Sequence, residues 1–302
     1  MNLSVELCGV RLKNPVIAAS GCFGFGREIA PLLGGLSRLG GVALKAITLE
    51  RREGNPPPRI AETPSGVLNS VGLQNPGLAA FLSEELPWFA DADTVLFANI
   101  AGATLDEYLR VAEGLNDTPI PFVELNISCP NVKAGGAAFG VDPDAVHRVT
   151  GAVRAVCGKK LIVKLTPNTA DIAGSAAAAE AAGADGVSLI NTLTGMAVDV
   201  HTRRPILGNV VGGLSGPAIR PVALRMVWQA AQAVRIPVIG MGGIMTGEDA
   251  VAFLLCGSRA VMVGTANLIN PDACIRIAEG IGEYMRRHHI DDVNALIGAL
   301  EV

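Results

Sequence analysis

The sequence predicts one (β/α)₈ TIM barrel, the α/β fold in which eight parallel strands alternate with helices. Three observations support this prediction: short β-rich apolar runs alternate with Ala- and Leu-rich stretches, the runs number eight, and no change of composition divides the chain. Eight strands close such a barrel, and 302 residues lie within its usual length. We therefore expect a single domain over residues 1–302, with inserted loops at the carboxyl-terminal face.

The predicted strands are short and apolar, as expected for a parallel sheet that is buried on both faces. They are Val16–Ser20, Val42–Ile47, Val95–Ile100, Phe122–Ile127, Leu161–Leu165, Gly186–Ile190, Pro237–Gly240 and Ala260–Val263. Helix start signals lie between them. Asp142 before Pro143 is an N-cap followed by proline at the first helical position, and Thr246 with Asp249 resembles a capping box. A third helix begins at Ser215-Gly216-Pro217.

Three segments fit neither a helix nor a barrel strand: Glu50 to Asn75, Pro130 to Val141 and Thr192 to Gly213. Each follows the carboxyl end of a predicted strand. Barrels of this kind carry their chemistry on loops at that end. We therefore interpret the three segments as insertions around the barrel mouth.

Composition excludes several classes of protein. The chain is 50% hydrophobic and 17% charged, which provides a large core and excludes a disordered chain. Its net charge of -4 and the lack of a basic run argue against nucleic acid as a partner. No apolar stretch reaches the roughly 18 residues that span a bilayer, and the first residues lack a secretion-signal pattern, so we expect a cytoplasmic protein. Six scattered cysteines without a C-x-x-C pair predict reduced thiols and no metal site.

Glycines follow the last two predicted strands, in Gly240-Met241-Gly242-Gly243 and in Gly264-Thr265. Glycine lets backbone N–H groups approach a phosphate closely, and barrels often bind phosphate in the loops after the seventh and eighth strands. Plain turns also use glycine, so one such loop would carry little weight. The two loops together favour a phosphate site.

Two lysines and five asparagines lie in or just after predicted strands. Lys45 is expected within the second strand and Lys164 within the fifth, where an unpaired ammonium would be costly to bury. One such side chain could simply extend to the rim, but two favour an anionic ligand. Amides donate and accept, which suits a planar ligand with ring amides, although each asparagine alone is more typical of a turn. The asparagines are Asn69, Asn99, Asn126, Asn131 and Asn191.

Cys129 follows the fourth predicted strand, directly before Pro130, so we expect its thiol at the barrel mouth. A free thiol has a pKa of about 8.5 and acts as a base once its surroundings or alkaline pH favour the thiolate. No histidine has a comparable place, and His201 in the sixth connection is a weaker candidate. The other five cysteines are interpreted as small packed hydrophobes.

Nine segments, in order along nearly the whole chain, resemble the dihydroorotate dehydrogenase family. They are Asn14-Pro15 with Ala19-Ser20-Gly21, Leu44-Lys45-Ala46, Asn69-Ser70-Val71-Gly72-Leu73-Gln74-Asn75-Pro76-Gly77, Asn126-Ile-Ser-Cys-Pro-Asn131, Val163-Lys164-Leu165, Ile190-Asn191-Thr192, Gly213-Leu-Ser-Gly-Pro217, Gly240-Met-Gly-Gly243 and Gly264-Thr265. Cysteine at position 129 resembles the soluble class 1 enzymes. Gln74 and the stretch Thr202-Arg203-Arg204-Pro205 resemble the NAD-linked class 1B form.

The resemblance implies that Cys129 removes a proton from C5 of dihydroorotate while a hydride passes from C6 to N5 of bound FMN. It implies that Lys164 lies at the N1/O2 edge of the flavin and stabilises the charge that develops on reduction. The implied substrate-binding residues are Lys45, Asn69, Ser70, Val71, Gly72, Leu73, Asn126, Asn131, Asn191 and Thr192. The implied cofactor-binding residues are Ser20, Lys45, Ala46, Asn99, Asn126, Lys164, Ile190, Gly216, Gly242, Gly243, Gly264 and Thr265. The loop at Gly135-Gly136 would close over the substrate.

Class 1B enzymes pair with an electron-transfer subunit that carries FAD and a [2Fe–2S] cluster and reduces NAD⁺. The resemblance therefore implies such a partner, with a homodimer of this chain inside a heterotetramer. The fumarate-using class 1A form would share the lack of iron–sulfur and dinucleotide motifs, so it stays open. A dihydropyrimidine dehydrogenase-type barrel is a further alternative. A non-catalytic flavin-binding interaction module is another, although it would need no thiol at the mouth.

Overall fold

The chain folds as a closed (β/α)₈ barrel, as the sequence predicts. The computed structural model describes residues 1–128 and 140–302, and within those ranges eight parallel strands form the barrel. From first to eighth, the barrel strands are Val16–Ala18, Gly41–Ala43, Val95–Ile100, Phe122–Asn126, Lys160–Lys164, Gly186–Leu189, Val238–Met241 and Ser258–Val263. Each pairs with the next along the chain, and the eighth pairs with the first. All eight predicted strands are confirmed.

Two of the three helices for which the sequence predicts a start begin at the predicted residues. Asp142 caps the helix Pro143–Val156 by accepting a backbone N–H bond of 3.3 Å. Thr246 and Asp249 form the predicted capping box of the helix Gly247–Leu255. In the described ranges the α-helices are Ala30–Leu33, Leu78–Ala80, Leu105–Gly114, Pro143–Val156, Ile172–Ala181, Arg220–Ala233, Gly247–Leu255, Ala266–Ile269 and Ala273–Arg287. No helix of these ranges has the length and apolar character needed to cross a membrane.

The barrel interior has an apolar layer nearer its amino end and a polar layer nearer its carboxyl end. Alternate residues of a strand face the same side, so Phe97 and Phe122 lie one layer below Asn99 and Glu124. The two phenyl rings stack with a centroid distance of 4.4 Å and are fully buried. The barrel interior is therefore a packed apolar core near the amino end and a polar layer near the carboxyl end.

A short hairpin of Val5–Leu7 and Val10–Leu12 packs at the amino end of the barrel. Between its strands, the Cys8 thiol donates to the carbonyl of Asp185, which directly precedes the sixth barrel strand (3.2 Å). The sequence analysis did not predict this hairpin, because three-residue strands are too short to show a period of two.

A four-stranded antiparallel sheet, here called the mouth sheet, joins two of the predicted insertions. Its strands run in the spatial order Leu193–Met196, Val211–Ser215, Gly66–Asn69 and Ile60–Thr63. The predicted place of these segments at the mouth is confirmed, whereas the antiparallel strands that they form were not predicted. The strands have four or five residues and include glycines, so their pattern is weak in the sequence. After Ser215, a 3-10 turn at Pro217–Ile219 leads into the predicted helix, which begins at Arg220.

The sequence predicts Lys45 within the second barrel strand. Instead, Lys45 lies just beyond that strand, which ends at Ala43. The N–H groups of Leu44 and Ile47 pair with the third strand, whereas the N–H of Lys45 donates to the carbonyl of Gly24 (3.0 Å). The chain therefore leaves the sheet at Lys45 and returns to it at Ile47. This detour could not be predicted, because it depends on a contact with the loop after the first strand.

Candidate active site

One large cavity lies between the carboxyl ends of the barrel strands and the mouth sheet. It encloses about 1270 Å³ of space, part of which is open to solvent. Most of the site residues predicted from the sequence line it: Ser20, Lys45, Ala46, Asn69, Val71, Gly72, Leu73, Asn126, Lys164, Ile190, Asn191, Thr192, Gly216, Gly242, Gly243, Gly264 and Thr265. The fold therefore brings these residues together at one place.

Two predicted site residues of the described ranges do not line the cavity, and two others lie outside those ranges. Asn99 is fully buried beneath it and donates to Glu124. Ser70 is also fully buried, and its hydroxyl accepts a hydrogen bond of 3.0 Å from the Asn55 amide. Cys129 and Asn131 lie outside the described residues, as does the predicted Gly135-Gly136 loop.

The glycines of the two predicted phosphate loops are required for different reasons. Gly242 and Gly243 have φ of +128° and +77°, so their backbone itself favours glycine whether or not a ligand is present. Gly264 has no such φ, and an added Cβ would meet only Cys22 Sγ at 3.5 Å and Ala19 Cβ at 3.7 Å, which are ordinary contacts. The protein would therefore accept a side chain at Gly264. Its absence keeps that part of the cavity wall flat.

Backbone donors at these loops have no acceptor in the described part of the chain. None of the hydrogen bonds there uses the N–H groups of Gly242, Gly243, Gly264 or Thr265. Partly buried N–H groups are normally paired, so several together form a ready anion site. The short helix Ala266–Ile269 follows directly, as at many phosphate sites of barrels.

The floor of the cavity is a buried polar layer around Glu124, which sequence reasoning missed. Glu124 is 0% exposed, and its two carboxylate oxygens accept from the hydroxyl of Ser188 (2.8 Å) and the amide of Asn99 (2.5 Å). The ammonium of Lys164 lies 3.8 Å from the second of these oxygens. The alternation of residues along the fourth strand places Glu124 on the same inward face as Phe122, which could have indicated its burial but not its pairing with Lys164.

A hydrogen-bonded row of polar groups continues from this floor toward the mouth. The Asn126 amide approaches the side-chain oxygen of Asn99 (3.4 Å), and the Ser128 hydroxyl donates to the oxygen of Asn126 (3.0 Å). Asn191 in turn donates to the Ser128 hydroxyl (2.8 Å). Tyr108 holds the strand end by donating to the Asn126 carbonyl (2.8 Å). The orientation of the Asn126 and Asn191 amides is thus set by their neighbours.

The mouth sheet positions the other wall of the cavity. Asn69 donates from its amide to the carbonyl of Gly213 on the neighbouring strand (3.2 Å). Thr265, in the loop after the eighth strand, donates to the hydroxyl of Ser215 on the same sheet (2.9 Å). These contacts join the mouth sheet to the glycine loops, so the insertions and the barrel form a single site.

Cys22 and several apolar residues also line the cavity, although the sequence analysis did not select them. Burial raises the pKa of the Cys22 thiol, while the nearby ammonium groups of Lys164 and Lys45 lower it to a smaller extent. A neutral thiol is therefore expected there. The apolar lining includes Ile219, Met241, Ile244 and Met262. Such residues resemble ordinary core residues in a sequence, and only their place at strand ends could have singled them out.

The sequence matches a known protein family over nearly its whole length. The family model described as dihydroorotate dehydrogenase matches residues 2–285. A protein of Alkaliphilus oremlandii named dihydroorotate dehydrogenase B (NAD(+)), catalytic subunit, is 56% identical over 299 residues, which are 99% of each chain. Proteins with the same name from Thermoanaerobacter pseudethanolicus and Bacteroides fragilis are each 53% identical over 302 residues, which cover 100% of this chain and 100% and 99% of theirs. The chain therefore belongs to the dihydroorotate dehydrogenase family.

Proposed function

We propose that this chain oxidises (S)-dihydroorotate to orotate in the biosynthesis of pyrimidine nucleotides (UMP), with FMN bound in the cavity at the barrel mouth. The observation that carries the proposal is the cavity itself. It combines two lysines, a row of oriented amides and two glycine loops in a chain similar over its full length to NAD-linked dihydroorotate dehydrogenase subunits. This combination suits a flavin that carries a phosphate, next to a planar ring that carries amides and a carboxylate.

The residues of the cavity fit FMN. The unpaired N–H groups of Gly242, Gly243, Gly264 and Thr265 would hold its phosphate, and the flat wall at Gly264 leaves room for close approach. Ser20, Ala46, Ile190 and Gly216 would border the ring, and Lys164 would face its electron-rich edge. When bound, FMN supplies the acceptor for the hydride that leaves the substrate.

The substrate would lie on the mouth-sheet side of the cavity. Lys45 would pair with its carboxylate, since an ammonium beside an anion in a partly desolvated site is favourable. Asn69, Asn126, Asn191 and Thr192, with the backbone around Val71–Leu73, would bond its ring amides. Asn131 would belong to the same set. Fixed amides discriminate strongly against ligands that leave their hydrogen bonds unmade.

Cys129 is proposed as the base that takes the proton from C5. It comes three residues after Asn126, the last residue of the fourth barrel strand, at the end where barrels place catalytic groups. The neutral Cys22 thiol is a poor rival, because burial raises its pKa and so disfavours the thiolate.

NAD⁺ is proposed as the final electron acceptor. The relatives are named as NAD(+)-dependent catalytic subunits, and that name implies a second, electron-transfer subunit. We propose that this partner carries FAD and a [2Fe–2S] cluster, and that a homodimer of the chain forms the centre of a cytoplasmic heterotetramer.

The test is orotate formation by the chain purified alone and by the chain co-expressed with its electron-transfer partner. Each preparation is given dihydroorotate with NAD⁺ or with fumarate. We expect NAD⁺-dependent turnover in the co-expressed preparation and none with fumarate by the lone chain. Fumarate turnover by the lone chain would contradict the choice of acceptor. Absence of flavin, or no orotate with any acceptor, would contradict the proposed activity itself.

A further inference from the structure

The fully buried carboxylate of Glu124 requires an explanation beyond packing. An ionised group in a barrel interior is unfavourable unless it is paired and hydrogen-bonded. Its two oxygens are held by Ser188 and Asn99, so the carboxylate is fixed by neutral donors. The ammonium of Lys164, at 3.8 Å, is too far for a direct hydrogen bond but close enough for strong attraction. Glu124 is thus a stationary negative charge beneath the lysine.

Lys164 connects this buried charge to the cavity. It is 4% exposed as a residue, it is the last residue of the fifth barrel strand, and it lines the cavity wall. Its strand neighbour Asn126 lines the cavity too, and Asn126 contacts Asn99, a hydrogen-bond partner of Glu124. A change of charge at Glu124 would therefore act on a lysine that lines the cavity.

We infer that Glu124 is a positioning residue that holds the ammonium of Lys164 at the cavity floor and offsets part of the positive charge presented to a bound flavin. This inference rests on the proposed function, because it requires FMN in the cavity. Reduction adds negative charge to the flavin, so the charge at the floor governs how readily the flavin is reduced. Glu124 would keep that charge small and the reduction potential correspondingly low.

The test is the reduction potential of FMN bound to the whole chain, measured by equilibration with reference dyes. Glu124→Gln keeps the shape of the side chain and removes its charge, so we expect the oxidised–reduced equilibrium to move about tenfold toward reduced flavin, or about 30 mV upward for two electrons. Lys164→Gln should move the potential downward. Ser188→Ala, which removes one hydrogen bond and neither charge, should have a much smaller effect.

A double variant distinguishes an effect of Glu124 that acts through Lys164 from a direct effect of its charge on the flavin. Without Lys164, Glu124 has no ammonium to hold at the cavity floor. Adding Glu124→Gln to Lys164→Gln should therefore change the potential little. An equal upward shift in both backgrounds would show that Glu124 does not act through the lysine, and would overturn the inference.

Two further outcomes keep the test decisive. Should Glu124→Gln fail to fold, Glu124→Asp retains the charge but draws it away from Lys164, and we expect a smaller upward shift; no shift would overturn the inference. Thr150→Val removes a buried hydroxyl that has no partner in the described structure and lies on an outer helix, so it controls for the loss of a buried polar group remote from the cavity. A wild-type chain without flavin would refute the proposed function, whereas bound flavin with an unchanged potential in Glu124→Gln would refute only this inference.

Discussion

The two layers of the barrel interior differ in what they contribute. The lower layer, with the stacked rings of Phe97 and Phe122, is apolar and fully buried, and it stabilises the fold in the ordinary way. The upper layer, around Glu124 and Lys164, is just as buried but polar, and such a layer is often no more stable than an apolar one. The upper layer is therefore better explained by the ligand proposed for the cavity than by stability. Substitutions in the two layers should accordingly affect different properties.

The largest expected effect is that of substituting Cys129, the proposed base. Cys129→Ala should lower dihydroorotate turnover by at least about 10²–10⁴-fold, the usual contribution of a general base, while the chain retains FMN. Turnover of the wild-type chain should rise between about pH 6 and 9, because the thiolate is the active form and a thiol pKa is about 8.5. Both are measured as initial rates of orotate formation.

Cys22→Ala is the matched control, since Cys22 is a second thiol that lines the same cavity. It should retain turnover of the same order as the wild-type chain. A larger loss of turnover in Cys22→Ala than in Cys129→Ala would show that Cys129 is not the base. A flat pH profile, with proton abstraction shown to limit the rate, would argue against either thiol.

The next effect concerns the lower layer and is one of stability. Phe97→Ala removes one of two stacked, fully buried rings, so we expect the free energy of unfolding to fall by about 3–5 kcal/mol. Urea denaturation measures this loss. Turnover per folded, flavin-loaded chain should remain near that of the wild type. A fall in the free energy of unfolding of less than about 1 kcal/mol, or a loss of turnover without a loss of stability, would contradict the distinction between the two layers.

The smallest expected effect is on the affinity for FMN, and it distinguishes a glycine that contacts the ligand from one that only packs within the protein. Gly264→Ala adds a methyl group that the protein can accept, so the fold should persist while FMN binds about tenfold more weakly, a change of about 1.4 kcal/mol. Fluorescence titration of the flavin-free chain measures the affinity. Gly151→Ala is the control, because a Cβ there meets only Ala182 at 4.0 Å on the barrel's outer surface. Equal effects of the two substitutions would contradict the assignment of Gly264 to the phosphate.

Much of the fold could be predicted from the sequence, because its signals are local. Apolar runs identify the barrel strands, and Asp142 and Thr246 are capping residues recognisable from neighbouring positions. The mouth sheet could not be predicted, since it pairs strands about 145 residues apart, with Gly213 opposite Asn69. The detour of the chain at Lys45 depends on a loop contact for the same reason.

The candidate site was predictable in part. Lysines, asparagines and paired glycines are conspicuous in apolar strands, and most of those selected line one cavity. Asn99 and Ser70 share the residue types of the others but lie beneath the surface, bonded to Glu124 and Asn55. Residue type alone could not separate them. Glu124 went unnoticed because its role depends on Lys164, whose strand register is not visible in the sequence.

The most direct test of the central claim is a single turnover without oxygen. The chain is loaded with FMN, mixed rapidly with dihydroorotate, and followed by the loss of flavin absorbance and by orotate formed. The account predicts complete bleaching in the wild-type chain, with one orotate per flavin, and none on the same timescale in Cys129→Ala. Flavin that stays oxidised in the wild-type chain, or that bleaches as fast in Cys129→Ala, would contradict it.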